Sequence, residues 1–207
     1  MSNLDPHGQP FNVRFNRARQ AERDLSELLG LAKGLLADGA ISEEEALLVT
    51  QWVVNHPAAV EQWPVNLLAE GLQRIFSDGR VDNVEREELA EILARSHLGR
   101  VQGAWTEPTD WTDLSIYGFY CLEAAVEAAA LHVGIHTSKK HWEKVDSASE
   151  LHQKHGLPDV TEVLRDLNDA RKAAAYGDVD RPELDAEQLA AEIERYVDAV
   201  AALLGEA

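Results

Sequence analysis

Apolar residues return at three- and four-residue spacings over most of the chain, the repeat of one buried helix face. No segment alternates with period two for long enough to predict a strand. From Arg17 onward Leu25, Leu28, Leu29, Ala32, Leu35 and Leu36 fall on one stripe. Asp38-Gly39 ends that helix, and Ser42 with Glu45 three residues on has the form of a capping box for the next. The same phrase returns forty residues later: Asp78-Gly79 matches Asp38-Gly39, Val81 matches Ile41, Asp82 matches Ser42 and Glu85 matches Glu45. Leu68, Ile75, Ile92 and Leu93 likewise match Leu28, Leu35, Trp52 and Val53, and Trp63-Pro64 opens the second copy.

Between Gly99 and Asp113 the period lapses, which predicts a boundary. Beyond it four helices are expected at 112–133, 138–155, 159–176 and 185–204, each stopped by a glycine: Gly134, Gly156, Gly177 and Gly205. The chain therefore reads as all-α with two helical-bundle domains. Residues 1–16, with Pro6, Gly8 and Pro10, form a loose arm; 17–98 hold two repeated helix–turn–helix units; 99–112 form a linker; 113–207 form a four-helix bundle. Trp105 and Trp111 would anchor one domain on the other, or on a second subunit.

At 207 residues with a net charge of −18 the chain can bury a core, but it lacks the overall basic character usual in nucleic-acid binders. The charge is uneven: residues 1–100 carry 10 basic and 16 acidic side chains (−6), residues 101–207 carry 9 and 21 (−12). Cys121 is the only cysteine, so neither an intrachain disulfide nor a cysteine-based zinc site can form; its apolar surroundings predict a buried, inert thiol. No leader pattern and no uninterrupted apolar run near eighteen residues is present, and a cytoplasmic protein is expected.

The most informative run is Asn168-Asp169-Ala170-Arg171-Lys172-Ala173-Ala174-Ala175-Tyr176-Gly177-Asp178. Five helical residues turn about 140°, so Arg171 and Tyr176 flank a face rather than stack. Together with the aromatic, alanine-rich stretch at 116–129, with Lys139-Lys140-His141, and with a last helix carrying Ile193, Val197, Val200 and Leu204, this run resembles HEPN domains over roughly 112–205. That resemblance implies a homodimeric helical bundle, a nucleotidyltransferase as one kind of protein partner, RNA association, and a bacterial stress or defence setting. HEPN ribonucleases place a His four to six residues after the Arg. Here those positions hold Ala175, Tyr176 and Gly177, so a motif imidazole to accept the ribose 2′-OH proton is missing. Catalytic candidates are Arg171, Tyr176, Asp178 and, as an imidazole supplied from elsewhere in the fold, His141. A structural role for Arg171, paired with Asp169 or Asp178, stays open beside these. Lys139, Lys140, His141 and Lys144 form the one local basic patch, a candidate nucleic-acid contact with Trp142 beside it, or else a charged first turn over a core tryptophan.

In the first half the phrase Asp-Gly-x-Ile/Val-x-x-x-Glu coincides with the latter part of a calcium-binding loop, which makes Asp38, Glu45, Asp78 and Glu85 metal candidates. The preceding ligand positions would be Gly34 and Leu36, or Arg74 and Phe76, which cannot serve a hard cation; helix capping by Ser42 and Asp82 explains the same residues. Residues 17–98, with Leu28 through Gly39 and Trp63-Pro64-Val65-Asn66, resemble TerB-like helical domains and the helical region that precedes BRCT domains in some bacterial proteins. Three functions follow: a non-catalytic regulatory or binding protein working through protein or RNA contacts, which the missing His favours; a metal-independent ribonuclease using Arg171 with a displaced His; and a divalent-cation-responsive module. No cofactor beyond a divalent cation is implied.

Overall fold

The computed structural model describes residues 17–38, 43–61, 65–75, 82–106, 108–138, 140–176 and 183–205. Among them are nine α-helices and no strand: α1 (Arg17–Asp38), α2 (Glu43–Asn55), α3 (Pro57–Val60), α4 (Val65–Ile75), α5 (Asn83–Ala104), α6 (Trp111–Val133), α7 (Lys144–His155), α8 (Thr161–Tyr176) and α9 (Ala186–Leu204), with a 3-10 turn at His141–Glu143. The all-α reading is right, and so are the stops: Gly134, Gly156 and Gly205 sit at positive φ (74°, 73° and 85°) just past their helices. Gly177 lies outside the described residues.

Side-chain caps set the starts. Asp82 Oδ1 accepts from the Glu85 N–H at 2.9 Å while Glu85 Oε2 accepts from the Asp82 N–H at 2.8 Å, the reciprocal box that the repeat predicts. Asp110 and Asp185 cap α6 and α9. The helix expected from residue 138 begins only at Lys144. Ser138 Oγ accepts from the Lys140 N–H at 3.2 Å, closing a short turn instead of starting a helix.

Two apolar clusters make up the core. One gathers Leu25, Leu28, Leu29 and Ala32 of α1 with Val49, Trp52 and Val53 of α2, Leu68 and Leu72 of α4, and Leu89 and Leu93 of α5. Positions matched by the repeat are buried alike: Leu28 with Leu68, Val53 with Leu93. The other is built on α6 and takes Val145, Ala148 and Leu151 from α7, Leu164 and Leu167 from α8, and Ile193, Tyr196 and Val197 from α9.

Helix α5 belongs to both. Leu89 and Leu93 face the first cluster, while Ala90, Ala94, Val101 and Ala104 face the second. The expected linker at 99–112 is therefore helical as far as Ala104, and α5 adds a wall to the expected four-helix second half. The physical reason is that α5 buries two adjacent faces, so no single apolar stripe marks it. Trp105 and Trp111, at the bend into α6, pack on the second cluster. By length and composition α6 is apolar enough to cross a bilayer, but 67% of that window is buried inside the protein, where α6 is the central core helix.

Candidate functional site

The site grows from Phe119, a fully buried ring on α6. The His141 ring meets it edge-on, with centroids 5.7 Å apart and planes at 67°. The Arg171 guanidinium, reaching in from α8, lies 4.9 Å from the same ring centroid and 5.9 Å from that of Tyr120. Thirty residues of sequence separate His141 from Arg171, and one aromatic ring joins them. Beside it opens a cleft of about 290 Å³, lined by Phe119, His141, Asp146, Leu164, Arg165 and Asn168.

Arg171 Nη2 donates to Asn168 Oδ1 at 2.9 Å, whereas its Nε is buried and has no hydrogen-bond partner. Asp169, one of the expected partners of Arg171, accepts from Lys172 at 3.1 Å instead. His141 Nδ1 is bonded to Glu123 Oε1, and the Glu123 side chain is only 9% exposed. The carboxylate orients the ring through Nδ1, so that in the neutral imidazole Nε2 would carry the lone pair of a general base. One helical turn on, Glu127 receives the buried Lys144 ammonium on one oxygen and the Thr137 hydroxyl on the other, the latter at 2.7 Å.

Three of the residues singled out from sequence fall differently. Lys144 is buried and paired with Glu127, and Lys140 donates to Glu143 at 3.0 Å, so neither is offered outward as a bare cation. Hydrogen bonds from Ser138 and then Lys140 hold the Glu143 carboxyl below its usual range. Glu85, a metal candidate, is occupied in the capping box, and its partner in the repeat-matched turn is not a cation but the backbone of Asp82. Lys139, Asp78 and Asp178, and the side chains of Asp38, Glu45, Trp142 and Tyr176, lie outside the described residues. Cys121 is fully buried with its Sγ 3.2 Å from the Ala94 carbonyl oxygen, and burial pushes its thiol far up, as expected of an inert cysteine.

Glu123 and Glu127 are the residues that sequence reasoning passed over. Their signal was present: two carboxylates four apart in an otherwise alanine-rich core helix demand cationic partners. Among the described residues the remaining histidines do not gather here. His132 bonds Glu87 at 3.0 Å and His152 bonds the Leu157 carbonyl oxygen at 2.7 Å. Among the described residues the one converging group of three metal-type donors is Asp24, Glu27 and His56, in the first half of the chain.

The cleft itself is mixed in charge: His141, Asn168 and Arg165, which pairs with Glu162 at 3.3 Å, line it together with the Asp146 carboxylate, and the Arg171 guanidinium packs beside it on the Phe119 ring with its Nε buried. Comparison with family models, with curated proteins and with solved structures yields no match to this chain.

Proposed function

We propose that the protein is a regulatory HEPN-type helical module that binds single-stranded RNA, seating a phosphate against Arg171 at the edge of the α6–α7–α8 cleft. The observation that carries this reading is the Arg171 guanidinium, partly buried on Phe119 with Nε unsatisfied and no carboxylate paired to it among the described residues. A buried N–H left without an acceptor is costly, and an anion that reached the guanidinium would relieve that cost. The net charge of −18 makes the binding local and salt-sensitive rather than broad. Fluorescence anisotropy with a labelled single-stranded RNA at low salt tests it. Arg171→Ala removes a charge-assisted contact worth about 1.5–3 kcal/mol, which raises Kd about ten- to hundredfold. Equal affinity of wild type and variant would dismiss the reading.

A second reading, metal-independent cleavage, draws support from His141 and Glu123. His141 Nε2 would take the 2′-OH proton, O2′ would attack phosphorus as the P–O5′ bond breaks, and Arg171 would steady the phosphorane; a second acid must protonate the leaving O5′. Cleavage in EDTA that leaves a 2′,3′-cyclic phosphate, and that His141→Ala abolishes, separates this activity from binding alone.

The HEPN resemblance also brings into the proposal a homodimer, a nucleotidyltransferase-type partner and a cytoplasmic stress or defence role. A solution mass twice 22.9 kDa is the expected reading for the dimer. The TerB-like cation response through the acidic turns is the weaker reading, because Glu85 already serves as a helix cap.

A further inference from the structure

Asp24 and Glu27 sit three residues apart on α1, and His56 stands at the joint between α2 and α3. One donor atom from each lies within 4.8 Å of the other two. The imidazole is already set: its Nδ1 is 2.8 Å from the Trp52 carbonyl oxygen, to which it donates, and its ring stacks on the Trp52 indole with centroids 4.3 Å apart and planes at 16°. That bond selects the tautomer whose Nε2 lone pair is open, and metal-binding histidines are held in this way. Asp24 presents a buried Oδ1 that accepts no hydrogen bond; the Arg23 guanidinium forms an ion pair with it at 3.7 Å, beyond hydrogen-bonding range.

We propose that Asp24, Glu27 and His56 form a zinc site that fastens α1 to the α2–α3 corner. One imidazole with two carboxylates suits zinc, which takes three protein ligands and leaves a fourth position to water or a ligand. Calcium, which requires six to eight oxygens, is not served by this set. Donors around tetrahedral zinc stand roughly 3.4 Å apart, so a pair at the 4.8 Å limit closes by about 1.4 Å. Glu27, whose side chain is exposed, supplies most of that movement. The site lies in a different half of the chain from the Phe119 cleft and stands or falls without it.

The test uses the full-length, tag-free chain stripped with a chelator. Zinc is titrated in competition with a chromophoric chelator, and cobalt(II) replaces it as a spectroscopic probe. One equivalent bound per chain, ligand-field bands of low-coordinate cobalt, and a change in tryptophan fluorescence from the ring stacked on His56 are the expected results. Glu27→Gln keeps wild-type helicity and weakens zinc at least tenfold; His56→Gln abolishes the cobalt bands. Because His56→Gln also removes the bond to Trp52, Glu27→Gln decides the matter. Absence of saturable binding, or one-equivalent binding unchanged by Glu27→Gln, overturns the site. Millimolar calcium leaves the zinc titration unaltered if the assignment holds, and displaces zinc if it does not.

Discussion

Phe119 shows how much one residue decides. Its ring is the surface on which an imidazole and a guanidinium from different elements meet, and replacing it would move both groups at once. Asp159 acts more locally. Its Oδ1 accepts from the Thr161 N–H at 3.0 Å and from the Thr161 hydroxyl at 2.8 Å, at the head of α8. These bonds, the backbone one foremost, hold its carboxyl below the ordinary value of 3.8. The folded state thus favours the ionised form. Its contribution is complete above about pH 4 and fades as pH falls through the lowered folded value. Asp159→Ala is expected to cost about 0.5–1 kcal/mol at pH 7, at the low end for a cap because the group is mostly exposed. Urea titrations at pH 7 and pH 3 check this: the gap between wild type and variant narrows in acid, and a gap that widened would contradict the capping role. At this scale the sequence named Arg171, and His141 as an imidazole that could reach it through the fold, but not Phe119, the ring on a third element on which the two groups meet.

At the scale of elements, glycine positions that look alike in sequence part company. Gly30 lies within α1, is exposed, and has nothing near the place a Cβ would occupy. Gly118 lies where α6 crosses α8 and α9, and a Cβ there would stand 3.0 Å from Ile193 Cδ1 and 3.2 Å from Leu167 Cδ2. Gly30→Ala is therefore expected to stabilise by about 0.5–1 kcal/mol through helix propensity, and Gly118→Leu to destabilise by about 1–3 kcal/mol through overpacking. Chemical denaturation midpoints read both, and a destabilising Gly30→Ala or a neutral Gly118→Leu would show that the crossing is looser than described. Helix stops and caps were legible beforehand because they are chosen by the φ of one residue or the reach of one short side chain. The start of α7 was not. A turn closed by Ser138 competes with the helix, and local spacing does not say which wins.

For the whole molecule, α5 is the decisive element. Small side chains at Ala90 and Ala94 face the alanine-rich surface of α6, and Cys121 Sγ reaching the Ala94 carbonyl oxygen shows how closely the two helices approach. Leu89 and Leu93, one position back on the same helix, are buried in the other cluster. Arg100 adds a tie at the far end, with its guanidinium 4.0 Å over the Tyr117 ring and a hydrogen bond to Ser26 at 3.4 Å. Since one rigid helix contributes to both clusters, the two should not melt apart. A single cooperative urea transition is expected by fluorescence and circular dichroism alike, and Leu93→Ala should lower it by about 2–5 kcal/mol as one step. Two separated transitions would restore the picture of independent domains.

The sequence by itself determined what depends on neighbours along the chain: the helical period, the capping box at Asp82, the glycine stops at Gly134, Gly156 and Gly205, and the burial of Cys121. Tertiary structure alone decided what depends on neighbours in space. It made α5 common to both clusters, neutralised Lys144 inside the bundle, set His141 and Arg171 on one ring, and drew Asp24, Glu27 and His56 together. A helix repeats its side chains every 3.6 residues and so declares its own faces, but which foreign face each one meets is fixed only when the helices cross.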